Sequence, residues 1–229
     1  MKKILILLSL IVLCSCNEWG SYYEAYHEHF ITNYFTYNNI DVKVIETPAV
    51  PEWGQNYNYR FVMISADIDE WYHSKETDES RKAIFEQLAE KYGDIGFNRT
   101  VGGPGPDLSE LYAAESISKI ELICLEDVGE NHPAGSSVAE MFEFESHTPY
   151  DYIQSRYTNF YNKKIAKRLD LLTADDLYLI GTGGEVLFWI TPLNHQEHSH
   201  VWGKKLRLTL NYENQYPISK DFILEKGEY

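Results

Sequence analysis

Leu206-Arg207-Leu208-Thr209-Leu210-Asn211-Tyr212 alternates apolar and polar residues without a break. Successive side chains of an extended chain point to opposite faces, so this segment gathers its leucines and Tyr212 on one side, as a strand with one buried face does. Working outward, 177–180 and 186–190 flank Gly181-Thr182-Gly183-Gly184-Glu185, a turn with enough glycine for positive φ angles, and predict a hairpin. Residues 222–224 read as a last edge strand. Residues 41–46 alternate up to Pro48 and Pro51, 59–66 are dense in β-branched and aromatic residues, and 117–125 form a further strand.

Two helices interrupt this series. In 79–92, Ile84, Phe85, Leu88, Ala89 and Tyr92 recur at three- and four-residue spacing, with Thr77 or Asp78 to cap the start and Gly93 to close the end. A second helix is expected from Thr148, with Pro149 in its first position and a stripe of Ile153, Tyr157, Phe160, Tyr161, Ile165 and Leu169. Between them Val101-Gly102-Gly103-Pro104-Gly105-Pro106 reads as irregular loop. Seven or so short strands with two accessory α-helices point to a mainly β chain, a β-sandwich that is immunoglobulin-like in one version.

Before the first strand, Lys2 and Lys3 precede the apolar run 4–13, and Leu13-Cys14-Ser15-Cys16 closes it. The run is too short for a permanent membrane span and reads as an export signal. The tetrad resembles the lipobox of bacterial lipoproteins. The resemblance implies cleavage before Cys16, which then carries diacylglycerol and an N-acyl chain such as palmitate. With about 0.8 kcal/mol per buried CH₂, several chains on one residue anchor a protein stably. An outer-membrane address follows by analogy, since Asn17 and not Asp follows the cysteine. The Tyr- and Asn-rich mature region, with Asn131-His132-Pro133-Ala134-Gly135-Ser136 ahead of Tyr150-Asp151-Tyr152-Ile153, is similar to surface lipoproteins of gut-dwelling diderm bacteria. The expected organisation is a signal over 1–15, a lipidated cysteine and tether over 16–40, and one β-rich domain over 41–229.

The 229 residues carry 20 basic and 35 acidic side chains, a net charge of −15. Such a body repels phosphate, which argues against nucleic acid as a partner and leaves the lipid on Cys16 to hold the membrane unaided. Of three cysteines, only Cys16 and Cys124 survive cleavage, so no disulfide forms within the mature chain. Cys124, in an apolar strand, reads as a small packed hydrophobe.

Two constellations stand out as candidate sites. Asn194-His195-Gln196-Glu197-His198-Ser199-His200 would put His198 and His200 on one face of an extended segment, with His195 able to fold in, an arrangement suited to zinc. His27 and His29 form a second pair. The alternative is a solvated loop. The other constellation is aromatic: 18 Tyr and 5 Trp, several beside Asn, suit a surface for a glycan or a protein. Trp53, Tyr57 and Trp71 are its leading members, although most such rings belong in a core. Asp67, Asp69, Glu70, Asp175 and Asp176 could serve as paired carboxylates, but so acidic a chain produces such neighbours by chance. Asp67-Ile68-Asp69 lacks the glycine and final glutamate of an EF-hand loop. No Gly-x-Ser-x-Gly elbow, His-Glu-x-x-His motif or glycine-rich helix start occurs. The sequence therefore favours a lipid-anchored, non-enzymatic binding or structural accessory without a cofactor. The alternative is a zinc-dependent hydrolase or metal carrier built on His195, His198 and His200.

Overall fold

Two sheets face one another across an apolar core in the computed structural model, which is described over 23–47, 59–103, 110–159, 163–181, 184–193 and 199–225. In chain order the elements are β1 (Tyr23–His27), β2 (Ile31–Thr47), β3 (Tyr59–His73), α1 (Glu79–Tyr92), β4 (Arg99–Gly103), β5 (Glu110–Ala113) and β6 (Ile117–Cys124). They continue with β7 (Phe142–Thr148), α2 (Tyr150–Gln154), β8 (Lys163–Arg168), β9 (Val186–Pro192), β10 (Lys205–Tyr212) and β11 (Ile218–Ile223). The larger sheet runs β5-β2-β3-β9-β7-β8, the smaller β11-β10-β6, and β1 with β4 makes a separate ribbon. Among the described residues every strand pairing is antiparallel except β2 with β5. Val62, Ile64, Phe144, Phe188 and Ile190 of the larger sheet share one buried cluster with Leu122, Leu206, Leu208 and Leu210 of the smaller. Over the described residues the chain is thus a mainly β sandwich with two α-helices, and the alternation of 206–212 is the alternation of burial along β10.

A second apolar layer covers the opposite face of the larger sheet, where Phe85, Ala89 and Tyr92 of α1 pack with Ile31, Tyr34, Tyr72 and Tyr112. The Asp78 carboxylate accepts the Ser80 and Arg81 N–H groups at the start of α1, and Gly93 at φ 72° closes it, as the sequence predicts. Residues 31–35 are therefore buried on both sides. β2 serves both layers through a change of phase. Phe35 and Tyr37 enter the sandwich core, then Ile40, Val42 and Val44 do so, an odd-to-even switch made where the register slips around Asn38. β3 answers at Asp69, so that Ala66 and Ile68 face the sandwich while Tyr72 joins the layer beneath α1. One extra residue in a strand reverses which face its neighbours occupy.

Four expectations are corrected here. Residues 23–40 are not a tether: β1 and the first half of β2 lie there, and Ile31, Tyr34 and Phe35 are fully buried. The second helix stops at Gln154. Ser155 Oγ accepts the N–H groups of Thr158 and Asn159, Arg156 and Tyr157 turn left-handed at φ 54° and 63°, and 163–168 pairs with β7 as an edge strand. Its stripe divides accordingly: Ile153 and Tyr157 enter the layer beneath α1, Ile165 and Leu169 the sandwich core, and Phe160 and Tyr161 lie outside the described residues. The expected hairpin is absent because β9 has β3 on one edge and β7 on the other. Residues 174–177 instead form a 3₁₀ turn capped by Thr173 and Asp176, and Gly181 meets His147 in a single bridge. Part of the expected loop at 101–106 is strand, since Val101 pairs with Ala25.

Starting the chain at Tyr22 should leave a cooperatively melting protein, whereas starting it at Asp41 removes β1 and half of β2 and should abolish the melting transition in far-UV circular dichroism. Equal melting of the two would show that 23–40 is dispensable.

Candidate ligand-binding cleft

The layer beneath α1 sets the position of the cleft. Tyr34 stacks on Tyr92 at 5.8 Å and leans on Phe85 at 5.5 Å, while Tyr157 meets Phe97 at 5.0 Å and Tyr152 at 5.4 Å. Asp94, fully buried one residue after the helix-closing glycine, ties this layer together. Its carboxylate accepts the Phe30 N–H at 2.9 Å, the Ile31 N–H at 2.7 Å and the Tyr157 hydroxyl at 2.8 Å. Burial still pushes the Asp94 carboxyl above its ordinary value, and those donors offset only part of that cost. His29 Nδ1–H donates to the Asp94 carbonyl at 2.5 Å, and its Nε2 stands 3.4 Å from Glu86. Both imidazole nitrogens are thus engaged with protein, a structural use of a histidine that the sequence offered as a ligand.

The last turn of α1 then forms one wall of an open surface cleft. The others come from Glu115, Ser116, Ile117 and Ser118 at the β5–β6 turn, Ala174 and Tyr178, and Glu213 and Asn214 after β10. A second hollow, with room for no more than about one water molecule, adjoins it through Glu115, Ser116 and Ile117. Lys91 Nζ donates to Glu115 at 3.0 Å and to the Ala114 carbonyl at 3.2 Å, and lies 5.0 Å from the Tyr92 ring centre. Tyr92 donates its hydroxyl to the same carbonyl at 2.8 Å, which fixes the β5–β6 turn against α1. Tyr178, half-buried, is held by ring contacts to Tyr150 at 4.5 Å and Tyr92 at 5.5 Å, and its carbonyl accepts Thr148 Oγ1–H. Burial, then the neighbouring Tyr150, raises its phenol above the ordinary value. Tyr216, 92% exposed, stands two residues beyond Asn214 on the β10–β11 turn. A fixed aromatic ring among hydroxyl, amide and carboxylate groups is the composition of a small polar-ligand site.

The residues singled out by sequence are distributed otherwise. Trp53, Tyr57, His195 and His198 lie outside the described residues. Trp71, 41% exposed, rests against Phe35 at 6.2 Å, and its carbonyl accepts an Arg81 N–H. His200 sits exposed in a 3₁₀ turn beside Gly129, and among the described residues no group of three or more His, Cys, Asp or Glu is placed to hold a metal. Glu70 accepts the Tyr72 hydroxyl at 2.5 Å, and Asp176 pairs with Lys167 at 2.6 Å besides capping its turn. Cys124 is buried, its thiol directed at the Pro133 and Ser136 carbonyls at 3.2 and 3.4 Å, which is packing as expected. Sequence reasoning missed the cleft because its walls come from four separate stretches. Its central ring, Tyr178, read as part of a strand.

Comparison with family models, with curated proteins and with solved structures gives no match.

Asp94→Ala strands a buried and a half-buried N–H group and a buried hydroxyl. It should cost about 3 kcal/mol, lowering Tm by roughly 6–12 °C for a body of this size. Tyr34 provides the opposite case, since its buried hydroxyl has no hydrogen-bond partner among the described residues. Tyr34→Phe should leave Tm unchanged or raise it by a few degrees, and a loss comparable to that of Asp94→Ala would reveal a bond the geometry does not contain.

Proposed function

We propose that the protein is a lipid-anchored accessory of the cell envelope, exported and acylated on Cys16 at the outer membrane, that binds a glycan or protein ligand without chemical turnover. The observation that carries the binding role is the cleft around Tyr178. It offers a ring fixed by two neighbours, with Ser116, Ser118, Asn214 and Glu213 around it. The address rests on the amino-terminal lipobox. It is compatible with a chain in which no helix of the described residues is long and apolar enough to cross a membrane. Trp53, Tyr57 and Trp71 are proposed as further contacts for such a ligand.

The folded body and its site have separate tests. In cells, Cys16→Ala should block processing and leave no mature anchored form; normal processing with an unchanged membrane fraction would contradict the anchor. In binding measurements against a panel of envelope and mucosal glycans, Tyr178→Ala should weaken the bound ligand at least about tenfold, a loss of roughly 1.4 kcal/mol, in a protein that still melts cooperatively. Undiminished binding would move the site elsewhere, and the Trp53→Ala, Tyr57→Ala double variant would then report whether those residues hold it.

A further inference from the structure

The charges that line the cleft do not cancel. Among the described residues Lys91 is its one cation, and that charge is already committed to Glu115, to the Ala114 carbonyl and to the face of Tyr92. Glu213 forms no ion pair among the described residues and stands exposed at the rim, followed by Asn214. Asp175, also exposed, follows the wall residue Ala174. Among the described residues the cleft is therefore left with an uncompensated carboxylate on the same lining as Tyr178, inside a chain whose net charge of −15 draws cations and repels anions. A carboxylate beside an aromatic face suits an ammonium group, which gains from both the ion pair and the ring quadrupole. The hydroxyls of Ser116 and Ser118 and the amide of Asn214 suit the hydroxyl-bearing body that would carry such a group.

Resting on the reading of this cleft as the ligand site, we propose that it selects a protonated primary amine carried on a sugar, that is, an amino sugar with a free 2-amino group. Glu213 pairs with the ammonium, Tyr178 lies against the ring carbons, and Asn214 and the serines take the hydroxyls. An anionic or N-acylated sugar loses the charge-assisted contact and binds more weakly.

The test is calorimetric titration of the detergent-solubilised full chain with glucosamine oligosaccharides, either N-deacetylated or fully N-acetylated and of equal length. The deacetylated form should bind at least about tenfold tighter, the ratio expected of one charge-assisted contact. The preference should shrink at high salt. Glu213→Gln should remove the preference and leave the weaker binding of the acetylated form in place. Equal binding of the two forms, or a preference that survives Glu213→Gln, would overturn the amine assignment while leaving a glycan site at Tyr178. Equally tight binding of Nα-acetyl-lysine amide would assign the amine to a protein and overturn the sugar. Binding of neither oligosaccharide nor of any glycan in the wider panel, with Tyr178→Ala silent, would remove the underlying site as well.

Discussion

Burial of residues 31–35 on both faces is the constraint on which the rest of the fold depends. This segment of β2 meets the sandwich core through Phe35 and the layer beneath α1 through Ile31 and Tyr34. It also holds β3 on one edge and β5 on the other. A strand so enclosed can satisfy its backbone only through its neighbours, which fixes the register of both. The paired irregularities at Asn38 and Asp69 let the same two strands serve opposite faces along their length. Asp94 secures the arrangement from outside the sheet. Its carboxylate takes the N–H groups of Phe30 and Ile31 at the point where the chain enters β2, and the Tyr157 hydroxyl from beyond α2.

That constraint explains how far the sequence could be read. The stretches with an unbroken period were legible: 206–212 as a strand, 79–92 as a helix with its Asp78 and Gly93 ends, and 59–66 as the heart of β3. What was illegible had lost its period for a physical reason. In 31–40, two-sided burial removes the polar half of the alternation, and the slip at Asn38 reverses its phase. Only 41–46 then retained a strand signature, and the Tyr and Asn before it resembled a linker. The stripe from Ile153 to Leu169 matched a helix by spacing, but it supplies two different cores from two different elements. Backbone pairing of 163–168 with β7 outweighed it. For 177–180, a sound strand pattern lost to topology, because both edges of β9 were already taken.

The candidate site was less legible than the fold, for the same kind of reason. Histidines and exposed tryptophans attract attention in a sequence, yet His29 proved to be a buried link between a carbonyl and Glu86. Of the aspartates that looked like paired acids, Asp176 caps its turn and Asp67 sits beside its strand partner Asn39. Lys91, Ser116, Tyr178 and Glu213 carry no motif. They become neighbours only because the last turn of α1 is clamped to the β5–β6 turn by Tyr92 and Lys91, at the end of the sheet where the 174–178 turn and the β10–β11 turn also arrive. The cleft is thus a product of the aromatic layer, and the layer in turn depends on β2.

Native-state hydrogen exchange of the amides of residues 31–40 tests that dependence most directly. Two-sided burial and pairing on both edges predict protection near that of the global unfolding free energy, equal to that of Val62 and Ile64 in β3. Exchange at the rate of an exposed segment, with β3 still protected, would mean that the sandwich stands without the first half of β2. The account of the fold, and of the cleft it positions, would then be wrong.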